Sequence, residues 1–410
     1  MEIDIITEKL QLAKTAKNFL DIATYHQDFF KKNNGKLIFT QDSNIDSHLP
    51  SSTMFHGYEK NFKSLFLNNK FMFIDKKIIS DMSKNKKSII GIDYSVSFDT
   101  QFSSFIERYF TNKRFNQEKV FEEILYKLVD NNINTDYTTY LLENISKDIA
   151  TNGIISNIEH IIRFFHLDTS TSILLKNMKV INNNSYENEL SLISNSIVSR
   201  KYQVIYDDFN DKQKIMYIIL MKTILIYQSK KSTKYKVNQL IEFMQSELHT
   251  LYGRELIVAS KFYENLNSKD DKVIFFNKVL NINEKTLERL KNMAWDFSLI
   301  RHLERAFTIN PNEKADYYIS YFLTFDNGLS QIMDLYPLKA IVYFESTKDL
   351  RIIPDIDVIE LANKYDLTAY FSEESIKYRN TQRKDSITYY HNLIDNLEAE
   401  IKSFIQKEGQ

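Results

Sequence analysis

The sequence predicts an α/β protein: a parallel sheet core, interrupted by a large helical insertion and flanked by helical N- and C-terminal extensions. Three observations predict it. Two runs rich in β-branched and aromatic residues, IIGIDYSVSFD (89–99) and YYISYFLTFD (317–326), each end abruptly in aspartate and pass at once into helical spacing, the pattern of buried parallel strands feeding helices. Between them, from 117 to about 290, apolar residues recur every three to four positions with short polar breaks. The 410 residues hold only seven glycines and four prolines, so strong turn signals are few and the element boundaries are soft.

In chain order, residues 4–33 read as helix, with Leu12, Ala16, Phe19, Leu20, Ala23 and Phe29 at helical spacing. GKLIFT (35–40) and KFMFID (70–75) read as short strands joined by a polar stretch through Pro50 and Gly57, and 1–87 as a mostly helical extension. Ile89, Ile90, Ile92, Val96 and Phe98 form a strand, after which Phe102, Phe105, Ile106 and Tyr109 take up helix periodicity. Helices are expected near 117–130, 136–150, 153–165, 186–199, 210–229, 234–265 and 284–308, with NNINTD, NNNS and NSKDDK as polar connections. Tyr317–Phe325 is nearly continuous apolar strand, LSQIMDLY returns to helix and PLKAIVYFES (337–346) gives a further strand. The core thus spans 88–346, interrupted at about 150–285, and 347–410 is a charged helical extension.

Composition removes many chemistries. At 43% hydrophobic and 26% charged the chain can bury a core. With no cysteine there is no thiolate metal site, disulfide or cysteine nucleophile. The glycines form neither GxGxxG nor GxxxxGK[ST], the eight histidines form no HExxH, and no serine stands in GxSxG. The 53 basic and 54 acidic side chains leave a net charge of −1, so a polyanion would have to meet a local patch. The N-terminus has acids early and no unbroken apolar stretch, and the run at 215–227 is short and contains Lys222. A secretory leader and a membrane span are therefore not expected, and a cytoplasmic protein without a membrane partner is.

Carboxylates are what remain. Asp99 and Asp326 each stand where a strand gives way to a helix. If the strands are parallel neighbours, both acids reach one sheet edge, the rim where α/β proteins bind ligands; an aspartate at such a junction is also an ordinary helix N-cap. In NMAWDFSLIRHLERAF, Asp296 heads the apolar stripe of Leu299, Ile300, Leu303 and Phe307, where a carboxylate needs a compensating cation or donors. A buried ion pair, for instance with Arg301, would supply that, and so would a metal. Carboxylates converging on one edge repel one another, and a hard cation, Mg²⁺ or Mn²⁺, holds them ionised together.

The succession SVSFDTQFSSFI, YLLENI, AWDFSLIRHLERA and YYISYFLTFDNGL resembles the four acidic motifs of the PIN-domain family of metal-dependent ribonucleases. The resemblance covers about 88–150 and 285–346. It implies Asp99, Glu143, Asp296 and Asp326 as the four acids, with Asp99, Asp296 and Asp326 as ligands of Mg²⁺ or Mn²⁺. Thr100, Thr324 and Asn327 would support them. Gln101 stands where the family has Asn, and Glu107, Glu122 and Glu123 compete with Glu143 for the second acid.

Substrate contacts are sought at Arg301 and Arg305, at KKSTKYK (230–236), KNKK (84–87) and KYRNTQRK (377–384) with Tyr389 and Tyr390, since basic residues interleaved with tyrosine pair phosphates and stack bases. Each cluster also reads as a solvated face. His302 and His391 are lone histidines, and Trp295, the only tryptophan, reads as core. The expectation is a metal-dependent endoribonuclease acting on RNA, with single-stranded DNA as the alternative and the helical insertion as a surface for self-association; the resemblance implies a stress or defence effector in bacteria. Two other readings stay open: an inactive PIN-like scaffold, and a hydrolase of nucleotides or small phosphoesters.

Overall fold

The computed structural model describes residues 2–40, 55–131, 133–146, 151–168, 170–171, 177–180, 183–198, 203–265, 272–308, 315–356, 358–382 and 387–408. Pro50 and most of NSKDDK lie outside them. The protein is α/β and predominantly helical, and the described residues form two small four-stranded sheets and a two-stranded one.

The chain begins with three helices, α1 (Glu2–Leu12), α2 (Ala16–Tyr25) and α3 (Gln27–Lys32), and then β1 (Gly35–Thr40), β2 (Phe62–Ser64), β3 (Phe71–Ile74) and α4 (Lys76–Ser83). The single helix expected over 4–33 is broken because Thr15 caps α2: its hydroxyl accepts from Asn18 N–H at 3.2 Å, and the Asn18 side chain accepts from Thr15 N–H at 3.1 Å. Next come β4 (Ile92–Phe98), α5 (Thr100–Phe110), α6 (Glu118–Asp130), β5 (Thr135–Asp136), α7 (Thr138–Ser146), α8 (Thr151–Phe165), β6 (Leu167–Asp168), β7 (Lys179–Val180) and α9 (Asn183–Val198). The long helical stretch follows as α10 (Gln203–Tyr227), α11 (Thr233–Ser246), α12 (Gly253–Glu264) and α13 (Thr286–Ala306). The chain then runs through β8 (Tyr317–Leu323), α14 (Asn327–Asp334), β9 (Leu338–Phe344), β10 (Asp349–Pro354), α15 (Val358–Tyr365), α16 (Glu373–Gln382) and α17 (Ile387–Glu408).

Two compact units divide this chain: 1–206 with 301–326 and 337–355, and 207–300 with 327–336 and 356–410. The first holds both four-stranded sheets. One is wholly antiparallel, in the order β10-β9-β1-β3. Its core is Leu37, Phe39, Ile74, Ala340, Val342 and Phe344 against Ile6, Leu10, Phe19, Ala23 and Phe30 of the first helices. Gly35 opens β1 because a Cβ there would lie 2.6 Å from the Phe30 ring. The other sheet has the order β2-β8-β4-β5, with β4 parallel to both β8 and β5, and β2 antiparallel at the edge.

Several expectations change here. Within 1–87, read as a mostly helical extension, β1 and β3 pair in the antiparallel sheet and β2 borders β8. The strand at 337–346 joins β1 and not the sheet of Asp99. The break NNINTD contains β5, which pairs Thr135 with Val96 and Asp136 with Ser97. The helix expected over 234–265 is two, parted by a turn in which His249 takes a φ of +48°.

The second unit is helical. Trp295 is buried, its ring stacked on Phe209 at 5.1 Å. The apolar run of α10 is core, packed with Met216, Ile218, Ile219, Met221 and Ile224 buried. Among the described residues no helix is long and apolar enough to cross a membrane.

Candidate metal and active site

Parallel pairing of β4 with β8 puts Phe98 opposite Leu323, so the residues that follow, Asp99 and Thr324, leave the sheet at the same edge. Asp99 is 5% exposed and caps α5: its Oδ1 accepts from Phe102 N–H at 2.7 Å. Its Oδ2 accepts from the Thr324 hydroxyl at 2.5 Å. Thr324 is itself clamped to the β2 side, where Asn61 O accepts from its N–H at 2.9 Å and Asn61 Nδ2 donates to its carbonyl at 3.1 Å. The Thr324 Oγ1 also accepts from Asp326 N–H at 3.0 Å, bending the chain so that Asp326 follows on the same rim.

Glu143 arrives from α7, the helix that follows the edge strand β5. Buried Thr139 ties α7 to the strand end by donating from Oγ1 to Phe98 O at 2.5 Å. One turn on, Glu143 Oε2 accepts from the Thr100 hydroxyl, and Asn144 donates from Nδ2 to Thr100 Oγ1 at 3.1 Å and to Tyr140 O at 2.8 Å.

Burial pushes the Asp99 carboxyl up to about 7 from its ordinary 3.8. The Thr324 hydroxyl and Phe102 N–H oppose that rise, and the negative charges of Glu143 and Asp326 add to it. Two of the other expected acids, Glu143 and Asp326, are therefore close enough to act on the charge of Asp99. Among the described residues no three acidic or histidine side chains are already gathered around one cation position. The donor set still suits a hard cation in kind: it is all oxygen and carries up to three charges.

Asp296 lies half-buried on α13 beside Trp295 and Phe297 and belongs to the second unit, as does exposed Asn327 at the start of α14. Arg301, at the head of the part of α13 that belongs to the first unit, donates from Nη1 to Glu304 Oε2 at 2.9 Å, and that glutamate is 1% exposed. Part of its charge is thus committed to a buried carboxylate. Arg305 is exposed.

Three of the other basic candidates, Lys234, Lys236 and Arg379, are committed elsewhere. Lys236 is buried, donating to Tyr227 O at 3.1 Å, and Lys234 pairs with Asp366. Arg379 donates to Gln245 Oε1 and Tyr370 O, the Tyr389 hydroxyl donates to Glu247, and Arg383 and Lys384 lie outside the described residues. Lys84, Lys86 and Lys87 are exposed.

Sequence reasoning passed over Asn61, Thr139 and Asn144. Asn144 and Thr139 share the α7 stretch with Glu143, but a buried amide or hydroxyl gives no charge conflict to draw attention. Asn61 has no signal in the sequence. Compared with protein-family models, with curated proteins and with solved structures, the chain matches none.

Proposed function

We propose that the protein is a metal-dependent endoribonuclease whose site is the rim formed by Asp99, Glu143 and Asp326. The observation that carries the reading is the placing of Asp99 and Asp326 just beyond the ends of two adjacent parallel strands, with Glu143 of α7 bound to the hydroxyl of Thr100 beside Asp99. Asp99, Glu143 and Asp326 would hold Mg²⁺ or Mn²⁺, which supplies neutralisation of their charge and polarisation of water and phosphate. The chain's own part is orientation. Phe102 N–H and the Thr324 hydroxyl fix Asp99, Thr100 fixes Glu143, and the Thr324 turn places Asp326. RNA is favoured over other phosphodiesters by the resemblance to PIN-domain ribonucleases in the order of the acidic motifs. The reading rests on these three acids and does not call on Asp296.

Purified protein incubated with labelled RNA, single-stranded DNA or nucleotides, in Mn²⁺ or in EDTA, tests this. Cleavage of RNA in Mn²⁺, lost in EDTA and in Asp326→Asn, is expected. Turnover of nucleotides alone would transfer the same site to small phosphoesters. A second reading, a scaffold without catalysis, is favoured by one observation: Asp99 serves α5 as a structural N-cap. No metal-dependent turnover of any of the three substrates would select it.

A further inference from the structure

We propose that Asn144 is a positioning residue for this rim, acting through the Thr100 hydroxyl to hold the Glu143 carboxylate toward Asp99 and Asp326. The inference rests on the metal-site reading above. Asn144 and Glu143 are adjacent on α7, yet both reach the same hydroxyl, one as donor and the other as acceptor. A threonine hydroxyl has a single proton. With Asn144 Nδ2 donating to Oγ1 at 3.1 Å, that proton is left for the Glu143 carboxylate. The orientation of the amide is set in turn, because its Nδ2 also donates to Tyr140 O at 2.8 Å, and Asn144 is only 2% exposed.

The need for such a relay follows from charge. A glutamate with three rotatable bonds, near enough to the buried Asp99 carboxyl to act on its charge, lowers its energy by turning to water. The relay opposes that turn by giving the carboxylate a donor on the rim side. Its base is anchored: Thr139 ties α7 to Phe98 O at 2.5 Å, and Thr100 is the first residue of α5, directly after capping Asp99. One short segment of α7 therefore grips the β4–α5 junction and carries the second acid. The role of Asn144 is indirect: nothing requires it to touch metal or substrate.

The test is a Mn²⁺ titration followed by electron paramagnetic resonance, with thermal unfolding of the metal-free protein run in parallel. Thr100→Val and Asn144→Ala are expected to weaken Mn²⁺ binding about 10- to 100-fold, the usual effect of removing a partner that orients a metal ligand. Thr100→Ser keeps the hydroxyl and should bind as the wild type does. In a Glu143→Gln background Asn144→Ala should cost nothing further, because the relay then has no carboxylate to orient. Wild-type affinity in both Thr100→Val and Asn144→Ala, or a loss that is undiminished in the Glu143→Gln background, would overturn the proposal. Should Asn144→Ala fail to fold, Thr100→Val against Thr100→Ser carries the comparison. A wild-type protein that binds no Mn²⁺ sinks the metal-site reading instead. The relay is then judged by metal-free unfolding, where Thr100→Val and Glu143→Gln must be non-additive, and additivity rejects it.

Discussion

Two aspartates in the first unit are built alike and differ in their company. Asp75 follows β3 of the antiparallel sheet, and Asp99 follows β4 of the other. Each caps the next helix through Oδ1, Asp75 accepting from Ile78 N–H at 2.8 Å and Asp99 from Phe102 N–H at 2.7 Å. Each takes a hydroxyl on Oδ2 from β8 or its end, from Tyr317 at 3.0 Å and from Thr324 at 2.5 Å. Capping and hydrogen bonding therefore do not separate a structural aspartate from a site. What separates them is that Asp99 lies 5% exposed with the charges of Glu143 and Asp326 acting on it, because β4 runs parallel to β8 and both chains leave the sheet at one edge. Parallel pairing brings acids from distant parts of the sequence together; β3 pairs antiparallel to β1, which sends the neighbouring strand end the other way.

Substitutions at the two positions should therefore diverge. The largest contrast is catalytic: Asp326→Asn is expected to lower Mn²⁺-dependent RNA cleavage by about a hundredfold or more, beyond what loss of a supporting partner costs. Asp75→Asn should leave it unchanged within assay error. Equal losses in a gel assay of labelled RNA would erase the distinction.

Stability should diverge in sign. The folded-state carboxyl of Asp99 is raised to about 7 from 3.8, so its contribution to stability is fully present below about pH 4 and is lost as pH rises through about 7. In EDTA the wild-type melting temperature should fall between pH 5 and pH 8. Asp99→Asn, which keeps a capping side chain without the charge, should remove that dependence and stabilise the protein at pH 8 by on the order of a few kcal/mol. A melting profile as steep in Asp99→Asn as in the wild type contradicts the assignment. The smallest effect is expected at Asp75, where Asp75→Ala loses the cap and destabilises by about 1 kcal/mol while Asp75→Asn is close to neutral. Denaturant unfolding at pH 8 measures both.

The strands that matter most were legible because they are long and apolar. Ile92–Phe98 and Tyr317–Leu323 each announce a strand, and the aspartates after them mark its end. Their adjacency was a condition the sequence posed and could not answer. β5 was hidden because Thr135 and Asp136 alternate nothing; they become strand only by pairing with Val96 and Ser97. PLKAIVYFES reads as strand on its own, but its partner β1 lies some three hundred residues upstream, and local pattern holds no record of such a pairing. In the site, the carboxylates stood out because burying charge is costly. Asn144 did not, since a buried amide among apolar residues looks like any helix interior until its partners are in place.

The central claim is that Asp99, Glu143 and Asp326 form one cation site, and a calorimetric Mn²⁺ titration of the wild type, Asp326→Asn and Asp75→Asn at pH 7.5 tests it most directly. The account predicts saturable binding in the wild type and in Asp75→Asn, and its loss in Asp326→Asn. No saturable binding in the wild type, or the same isotherm in all three proteins, would contradict it.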